Sequence, residues 1–330
     1  MEIIFNNKTI NSKHATPVKD INDINYIKTN YFTGNKTTAL KQLSDVLLKG
    51  KMSINHIYSY YFEKVASKTI LYHSKFSIWE TLHCDELIQL FINKTKTNPK
   101  VFDSNDILRN FKTAIRLGGK GITAKASNFP LKECVELLKL YGNNDLKDKV
   151  YVDTSCGWGV RMLASAILDI NYIGFDVNSE LIEKLNEFGK DIQSIKPNWK
   201  FCILNHGSQY YTPALFNSAD IMLTSPPYFN LEDYGNNEYE KDDSIHGDYQ
   251  NWIELYVKPL MVNSAAYIKE NGYILINVKD FNNLSLEDDF IKCGKNAGLK
   301  YHGFTTLKNI QRVNNSGIVD NSEKVLIFHK

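Results

Sequence analysis

The stretch of sequence that decides the fold runs from Lys149 to Arg161 and reads Lys-Val-Tyr-Val-Asp-Thr-Ser-Cys-Gly-Trp-Gly-Val-Arg. Its first half is an apolar run that is too short for a helix and therefore predicts a buried strand. Its second half holds Gly157 and Gly159, which let the backbone adopt a positive φ and come close to a ligand. A helix is expected to follow. The order of strand, glycine turn and helix is typical of the ligand-binding turn of an α/β sheet.

Strands and helices alternate from this stretch to the end of the chain. Apolar runs predict strands at Lys149–Thr154, Tyr172–Asp176, Lys200–Leu204, Ala219–Thr224, Gly272–Val278, Leu299–Thr305 and Lys324–His329. Helices are expected before and between them, at Lys132–Tyr141, Met162–Leu168, Ser179–Phe188, Trp252–Ile268 and Leu284–Ala297. This alternation predicts an α/β fold with a seven-stranded, mainly parallel sheet covered by helices on both sides. Ligands of such sheets bind at the carboxyl ends of the strands, where the strand order reverses.

Two carboxylates stand at the ends of neighbouring predicted strands. Asp153 ends the first strand and Asp176 ends the second. An acid about 20 residues beyond the glycine turn is placed to accept hydrogen bonds from ribose hydroxyls. A dinucleotide fingerprint would need a third glycine at position 162, which is Met162. An adenosine site without a pyrophosphate is therefore favoured, and a glycine turn that serves only packing is the alternative.

The fourth predicted strand ends in Thr224-Ser-Pro-Pro-Tyr228. Each proline fixes its own φ, lacks an N–H and forces the preceding residue to be extended. The result is a rigid elbow that presents the Ser225 hydroxyl, the Pro226 carbonyl and the Tyr228 ring. These groups can accept hydrogen bonds from an exocyclic amine and stack on a flat ring. Taken alone, the elbow equally fits a simple strand terminator in any α/β protein.

Taken together, the turn Asp153-x-x-Cys-Gly-x-Gly159 and the elbow Ser225-Pro-Pro-Tyr228 resemble motifs of the S-adenosylmethionine-dependent amino-methyltransferases, which act on cytosine N4 or adenine N6 in DNA. The resemblance covers about residues 120–330. It implies a class I methyltransferase (Rossmann-like) fold, a smaller helical N-terminal segment, and S-adenosyl-L-methionine as cofactor. It also implies double-stranded DNA as partner, with the target base flipped out of the duplex, and it allows a partner nuclease, as in restriction–modification.

The resemblance also assigns roles to single residues. Phe129 matches the Phe-Pro helix start that closes over the methionine end of the cofactor. Asp153 would face the methionine amine and Asp176 the ribose. The family usually carries an aspartate after the third strand, toward the adenine amine, where this chain has Ser208 or Asn205. The implied cofactor-binding residues are Phe129, Asp153, Ser155, Cys156, Gly157, Gly159, Asp176 and Ser208.

The catalytic residues implied by the resemblance are Ser225, Pro226, Pro227 and Tyr228. Ser225 and the Pro226 carbonyl would accept the hydrogens of the target amine, and Tyr228 would stack on the base. Serine at the first elbow position favours cytosine N4 over adenine N6. An RNA or free-nucleotide amine and a non-enzymatic DNA-binding protein on the same fold are the alternatives. Further residues that could border the target pocket are Tyr234, Tyr239, His246 and Tyr249.

The beginning of the chain differs from the rest in charge. Residues 1–126 carry 19 Lys/Arg against 10 Asp/Glu and the remainder carries 20 against 27, although the net charge is only +2. A basic segment favours a polyanion as partner, and ordinary solvated lysines are the alternative. We therefore expect residues 1–115 to form a basic, mostly helical segment that recognises DNA, and residues 116–330 to form the catalytic domain.

Local patterns subdivide this basic segment. Residues 1–38 are polar and unperiodic, and an irregular arm is expected there. A helix from about Leu40 to Lys49 and a second one after Ser53 match either a helix-turn-helix DNA reader or two packed helices. Arg116 to Gly121 is expected to be a flexible basic loop that fits no P-loop. Residues suited to phosphate contacts and stacking are Lys64, Lys68, Lys75, Tyr60, Tyr61 and Tyr72.

Composition excludes several classes of protein. No apolar run approaches the roughly 20 residues needed to span a bilayer, and the N-terminus lacks the order of a signal peptide, so residence in the cytoplasm is expected. The five cysteines are widely spaced, without a Cys-x-x-Cys pair or a His/Cys cluster. They predict neither a disulfide nor a metal site. They are expected to be reduced and mostly buried, with Cys156 as the candidate exception.

Overall fold

The computed structural model describes residues 2–97, 105–118, 121–142, 145–229, 232–233, 248–280, 283–307, 312–314, 317–319 and 323–330. The chain forms two compact units. The first consists of Met1–Leu40, Asn55–Ser127 and Asn230–Asn236, and the second of Lys41–Ile54, Asn128–Phe229 and Asn237–Lys330. A recognition segment that ends at residue 115 stays a prediction.

Both units contain strands and helices. The strands are β1 (Glu2–Phe5), β2 (Lys8–Asn11), β3 (Ile70–Leu71), β4 (Val150–Asp153), β5 (Asn171–Asp176), β6 (Phe201–Asn205), β7 (Ala219–Thr224), β8 (Glu232–Asp233), β9 (Ile268–Val278), β10 (Lys300–Thr306), β11 (Arg312–Asn314), β12 (Gly317–Val319) and β13 (Lys324–His329). The helices are α1 (Ile21–Asn30), α2 (Lys36–Lys49), α3 (Asn55–Tyr61), α4 (Glu63–Ala66), α5 (Ile78–Leu82), α6 (Asp85–Lys96), α7 (Ile107–Gly118), α8 (Leu131–Tyr141), α9 (Val160–Ile167), α10 (Ser179–Ile195), α11 (Tyr249–Trp252), α12 (Lys258–Tyr267) and α13 (Leu286–Asn296). A π-helical turn, Ile253–Val257, joins α11 to α12.

The second unit is built on a seven-stranded sheet in the order β6-β5-β4-β7-β9-β13-β10. From β6 to β9 every neighbouring pair is parallel. Strand β13 runs antiparallel to both β9 and β10. The chain therefore adds strands outward from β4 to β6, returns to the centre at β7 and continues through β9 to β10 at the opposite edge, and β13 then inserts between β9 and β10. This confirms the expected α/β sheet, and the fold is the Rossmann-like fold of class I methyltransferases.

Burial in the central strands explains why their sequences are continuously apolar. Ile221, Met222 and Leu223 of β7 are all 0% exposed. Because successive side chains of a strand point to opposite faces, three buried neighbours mean that both faces of the sheet are covered. Trp252 is also 0% exposed and packs edge-on against Phe290 of α13, with ring centroids 6.2 Å apart.

The predicted elements of this unit are confirmed, with shifts at their ends. Helix α10 continues to Ile195, well beyond Phe188. It begins where Asn178 caps it, since the Asn178 side chain accepts a hydrogen bond from Leu181 N at 3.1 Å. The helix expected at Trp252–Ile268 starts at Tyr249 and contains the π-helical turn, and Ile268 already belongs to β9.

The first unit contains structure where an irregular arm was expected, so that prediction for residues 1–38 is wrong. Strands β1 and β2 form an antiparallel hairpin. Its two-residue loop, Asn6-Asn7, has φ values of 48° and 58°. Two positive φ values are the signature of a type I′ turn, which matches the twist of the strands. Ile3 and Ile10 pair across the hairpin and are buried, and helix α1 follows.

Helix α7 corrects a second expectation in the first unit. Arg116 lies inside this helix, which runs to Gly118, and not in a flexible loop. The helix is strongly amphipathic, with Phe111, Ala114 and Ile115 buried on one side. None of the helices in the described part of the chain is long and apolar enough to cross a membrane.

Candidate active site

The polar residues singled out in the sequence meet at one edge of the sheet. Strands β4, β5, β6, β7 and β9 are parallel, so their carboxyl ends lie on the same side. Register places Asp153 beside Gly174 and Asp176 beside Asn205. The order reverses between β4 and β7, which are direct neighbours. The glycine turn after β4 and the elbow after β7 therefore flank the switch point of the sheet, where ligands of this kind of fold bind.

The glycine turn takes the backbone conformation that its sequence indicates. Gly157 has φ 54° and Gly159 has φ 70°, and Gly159 is the residue from which α9 starts. Both values lie in the left-handed region that favours glycine. The turn is tied to the next strand because Cys156 N donates to the carbonyl of Phe175 at 2.9 Å.

A third glycine, Gly174 of β5, also shapes the turn, and the sequence reasoning missed it. A Cβ atom at position 174 would lie 2.3 Å from Cys156 Sγ and 2.7 Å from Tyr172 Cε1. Only a residue without a side chain allows this approach. A glycine in the interior of a predicted strand was the signal that could have revealed it.

Asp153 is fully enclosed by its neighbours. It is 0% exposed. Its Oδ2 accepts hydrogen bonds from Arg161 Nε and from Tyr172 Oη, each at 2.9 Å. Its Oδ1 accepts one from Ser155 N at 3.2 Å. A carboxylate oxygen has two lone-pair positions, so Oδ1 retains capacity for one further donor.

Arg161 is the main residue of the site that the sequence reasoning left without a role. It is buried, pairs with Asp153 and donates from Nη2 to the carbonyl of Ser155. Its Cζ lies 5.3 Å from the centre of the Phe129 ring. Burial by itself lowers the pKa of Arg161, but the charge of Asp153, the hydrogen bond to it and the nearby Tyr151 and Tyr172 together outweigh this and leave that pKa raised. A single cation in the apolar helix Val-Arg-Met-Leu-Ala-Ser-Ala-Ile was the available signal.

Asp176 occupies a different environment at the end of β5. It is half-buried, and its Oδ1 accepts a hydrogen bond from Asn178 N at 3.0 Å. Burial raises its pKa to about 6, although backbone N–H groups, including that of Gly157, act to lower it. The carboxyl group is thus close to the glycine turn and titrates near neutral pH.

The alternatives at the end of β6 differ in burial. Asn205 is exposed, whereas Ser208 is only 4% exposed. Ser208 and Ser155 both hydrogen-bond the hydroxyl of Tyr256, and these bonds counteract the burial that raises the pKa of Tyr256 to about 12. Tyr256 lies in the π-helical turn, a local irregularity that is frequent at functional sites. It links the loops after β4 and β6.

The elbow is less enclosed than the glycine turn. Thr224 and Pro226 are buried, while Ser225, Pro227 and Tyr228 are partly exposed. Tyr228 Oη donates to the carbonyl of Asn277, near the end of β9, at 3.4 Å. The ring of Tyr228 also packs against the apolar core. These contacts fix the ring at the mouth of the switch point and leave Ser225 accessible.

Whether a cofactor fits this edge of the sheet can be judged from buried oxygen atoms that make no hydrogen bond. Among the described residues, Asn128 Oδ1, Thr154 Oγ1 and Thr224 Oγ1 are buried and make no hydrogen bond. They lie next to Phe129, at the end of β4 and at the end of β7. A buried polar group left unpaired costs about 1–3 kcal/mol. A ligand that brings hydroxyl and amine donors to this edge would satisfy them, so the residues fit an adenosyl ligand.

Other predicted features have mixed outcomes. Tyr234, Tyr239 and His246 lie outside the described residues. Tyr249 donates from its hydroxyl to Asp289 Oδ2 at 2.6 Å. Cys156 is 1% exposed, so the expectation that it is the exception to burial is wrong, and Cys202 is the exposed thiol. The described part of the chain contains no group of three or more His, Cys, Asp or Glu that could hold a metal ion.

The basic and aromatic residues predicted to contact phosphates belong to the first unit. The Nζ atoms of Lys64 and Lys68 lie 5.6 and 5.4 Å from the ring centre of Trp79. Lys75 Nζ donates to the carbonyl of Thr9 at 2.6 Å. Tyr61 is 1% exposed and so does not offer its ring at the surface.

Comparisons with known proteins find matches among solved structures alone. No protein-family model matches the chain, and no curated protein matches it in sequence. Among solved structures, an S-adenosylmethionine-dependent methyltransferase from Clostridium acetobutylicum matches at 10% identity and a TM-score of 0.41, over 61% of this chain and 92% of that one. A precorrin-6y C5,15-methyltransferase from Geobacter metallireducens matches at 13% identity and a TM-score of 0.39, over 61% of this chain and 87% of that one. A TehB-like S-adenosylmethionine-dependent methyltransferase from Corynebacterium glutamicum matches at 12% identity and a TM-score of 0.38, over 60% of this chain and 86% of that one. At these values the likenesses carry no argument about activity, and the fold is assigned from strand order and pairing.

Proposed function

We propose that the protein transfers a methyl group from S-adenosyl-L-methionine to an exocyclic amine of a base in DNA, with cytosine N4 favoured over adenine N6. The observation that carries the proposal is the position of two motifs. The glycine turn follows β4 and the Ser-Pro-Pro-Tyr elbow follows β7, and these strands are neighbours at the point where the sheet order reverses. A cofactor motif and an amine-accepting elbow therefore face the same edge.

The cofactor is held by the residues around β4 and β5. The carboxyl group of Asp176 accepts hydrogen bonds from the ribose hydroxyls, and the glycine turn lets the backbone approach the adenosyl group. Arg161 fixes Asp153 and Ser155, and it packs beside Phe129. Asp153 Oδ1 keeps one acceptor position for the methionine amine. When bound, S-adenosylmethionine supplies an electrophilic methyl group on a sulfonium.

The elbow positions the target amine. Ser225 Oγ and the Pro226 carbonyl accept its two hydrogens, which directs the nitrogen lone pair toward the methyl carbon. Transfer would form the nitrogen–carbon bond while the carbon–sulfur bond breaks, and the methylated amine would then release a proton to water. The step needs alignment more than acid–base chemistry, so positioning provides most of the rate. Tyr228, held at Asn277, stacks on the flipped base.

The choice of DNA rests on two observations. The N-terminal part of the chain is basic, with 19 Lys/Arg against 10 Asp/Glu in residues 1–126, and such a surface favours a polyanion. The elbow begins with Ser225, and serine in this position favours cytosine N4 in the family that the motifs resemble.

Transfer of a radioactive methyl group tests the proposal. S-adenosylmethionine carrying a tritiated methyl group is incubated with the protein and with double-stranded DNA, RNA or free nucleotides, and the products are digested to nucleosides. We expect label on N4-methylcytosine from DNA. Label on N6-methyladenine would change the target base, and label only on RNA or free nucleotides would overturn DNA as substrate. Tight cofactor binding with no transfer to any of them would overturn the elbow's role.

A further inference from the structure

The first unit contains a cavity of about 610 Å³ whose charged side chains are mostly cationic. It lies among α4, α7 and the end of α1, and its volume is in the range of small-molecule sites. Four cations line it, Arg109, Lys112, Arg116 and Lys125, together with the acids Glu63 and Asp106. Neither the glycine turn nor the elbow contributes to it.

Helix α7 supplies three of these cations. Arg109, Lys112 and Arg116 are spaced by three and four residues, so they lie on one face of the helix. Another face carries the buried Phe111 and Ala114. Arg109 and Arg116 are exposed. The amphipathic pattern therefore anchors the helix by its apolar face and directs a stripe of positive charge into the cavity.

The two lysines of the cavity lie against aromatic and polar neighbours. Lys112 Nζ donates to the carbonyl of Tyr31 at 2.7 Å and lies 4.6 Å from the centre of that ring. Burial lowers the pKa of Lys112, so a bound anion would favour its charged form. Lys125 Nζ lies 3.5 Å from Glu63 Oε1 and 4.5 Å from the Tyr58 ring centre. Both ammonium groups are thus positioned beside aromatic rings.

The acids do not neutralise the cavity. Glu63 is 7% exposed, and its Oε2 accepts a hydrogen bond from Ser59 Oγ at 2.7 Å while its Oε1 faces Lys125. Asp106 is engaged at the start of α7, where its Oδ1 accepts from Arg109 N at 2.9 Å. Four cations against two acids leave an excess of positive charge in a concave site, which attracts anions.

We propose that this cavity binds a phosphate group, and that in the reaction proposed above it binds a backbone phosphate of the DNA substrate. Two arginines can each form paired, planar hydrogen bonds to phosphate oxygens, and lysines add point charges. The role in DNA binding rests on the proposed function, whereas phosphate binding itself does not. A free nucleotide would present the same chemistry, so the experiment separates the two sources.

The test compares two double variants with equal loss of charge. Arg109→Gln/Arg116→Gln removes two exposed cavity cations, and Lys13→Gln/Lys19→Gln removes two exposed lysines of the same unit outside the cavity. Fluorescence anisotropy with a labelled duplex oligonucleotide is measured over a salt series. Losing the one phosphate that both arginines hold should lower the slope of log K against log salt by about 0.9 and weaken binding several-fold. The control variant should change both values much less. Equal effects of the two variants, or none, would overturn the cavity as the phosphate site.

Calorimetry with inorganic phosphate and cytidine 5′-monophosphate identifies the source of the phosphate. Binding of the duplex but not of the monophosphate supports a backbone phosphate, and binding of the monophosphate that is lost in Arg109→Gln/Arg116→Gln supports a free nucleotide in the same site. If the intact chain binds none of these probes, the proposal is wrong. S-adenosylmethionine binding is measured in parallel, and its absence would count against the proposed function alone.

The variant Glu63→Gln should strengthen phosphate binding, where the arginine variants weaken it. The amide can still accept a hydrogen bond from Ser59, but the negative charge facing Lys125 is gone. Phosphate-bearing probes should therefore bind several-fold more tightly to this variant. Unchanged or weaker binding would contradict an electrostatic phosphate site.

Discussion

The end of β4 and the end of β7 are neighbours in one sheet, yet they are built in opposite ways. At the end of β4, Asp153 is 0% exposed and receives three hydrogen bonds from Arg161, Tyr172 and Ser155. At the end of β7, Thr224 is buried as well, but the stretch from Thr224 to Tyr228 carries no charged side chain. Ser225, the next residue, is partly exposed. The end of β4 holds a buried and paired charge, and the end of β7 presents a partly exposed hydroxyl group to a ligand.

This difference assigns fold stability to the end of β4 and substrate contact to the end of β7. A buried ion pair with further hydrogen bonds to its neighbours holds its loop in one arrangement, and removing either partner leaves an uncompensated charge. An exposed hydroxyl beside rigid prolines adds little to the stability of the fold and is available to a substrate. We therefore expect changes near β4 to affect stability first and changes at the elbow to affect transfer first.

Arg161→Ala should have the largest effect. It leaves the buried Asp153 carboxylate unpaired, and breaking a buried pair in this way costs about 3–5 kcal/mol of the free energy of unfolding. Chemical denaturation measures the change. Lys258→Ala is the matched control, because Lys258 pairs with Glu254 at 2.8 Å but is 54% exposed, and it should leave the free energy of unfolding nearly unchanged. If Arg161→Ala changes the free energy of unfolding as little as this control, the claim that the buried pair stabilises the end of β4 is wrong.

A double variant keeps this test informative if Arg161→Ala fails to fold. Asp153→Asn/Arg161→Met removes both charges together, and neutral replacements of a buried pair are often tolerated. The double variant should recover part of the lost stability. A double variant as unstable as the single one would mean that packing, and not the unpaired charge, causes the loss.

Tyr228→Ala should reduce methyl transfer without reducing cofactor affinity appreciably. Stacking of a base on an aromatic ring contributes about 1–3 kcal/mol, which corresponds to a loss of about 5- to 150-fold. Tyr228→Phe is the control, because the bond from Tyr228 Oη to Asn277 is long, at 3.4 Å, and its loss should change little. Equal transfer rates for Tyr228→Ala and the unmodified chain would remove the stacking role.

Gly174→Ala should have a smaller effect, which acts on the glycine turn at the end of β4. The new Cβ would lie 2.3 Å from Cys156 Sγ, and overpacking of this kind costs about 1–3 kcal/mol. The glycine turn should shift with Cys156, so calorimetry should show weaker binding of S-adenosylmethionine. Adding Cys156→Ala should restore part of the affinity. Unchanged affinity in Gly174→Ala would show that the turn does not contact the cofactor.

The smallest expected effect is the pH dependence at Asp176. Its folded-state pKa is about 6, above the ordinary value of 3.8, because burial disfavours the charge. Between about pH 4 and 6 the folded chain holds this proton more tightly than the unfolded chain, so the free energy of unfolding without cofactor falls as pH rises. Affinity for S-adenosylmethionine should rise over the same window, because the carboxylate is the stronger acceptor. Asp176→Asn should flatten both curves; curves that keep their slopes would assign the titration to another group.

Much of this architecture is predictable from the sequence. Strands β4 and β7 fall within a residue of their expected bounds, since each is an apolar run closed by a glycine turn or by a Ser-Pro-Pro elbow. Burial on both faces of the sheet makes such runs continuous and easy to recognise. The order of cofactor turn and elbow along the chain then indicates the site.

What the sequence does not reveal are contacts between distant residues. Nothing in the pattern around Arg161 shows that its guanidinium reaches Asp153 and lies beside Phe129, because that depends on how α9 packs. The hairpin of β1 and β2 was missed because Asn6-Asn7 replaces the Asn-Gly pair that usually signals a type I′ turn. The stripe of cations on α7 was hidden because Arg116 was assigned to a loop.

Binding of S-adenosylmethionine to the full chain tests the central claim most directly. The melting temperature is measured with and without cofactor, for the unmodified chain and for Tyr228→Ala. A ligand at 100 times its Kd stabilises the folded state by about 2.7 kcal/mol, so both proteins should melt at clearly higher temperature with cofactor. No rise at saturating S-adenosylmethionine in the unmodified chain would contradict the assignment of this sheet edge as a methyltransferase site.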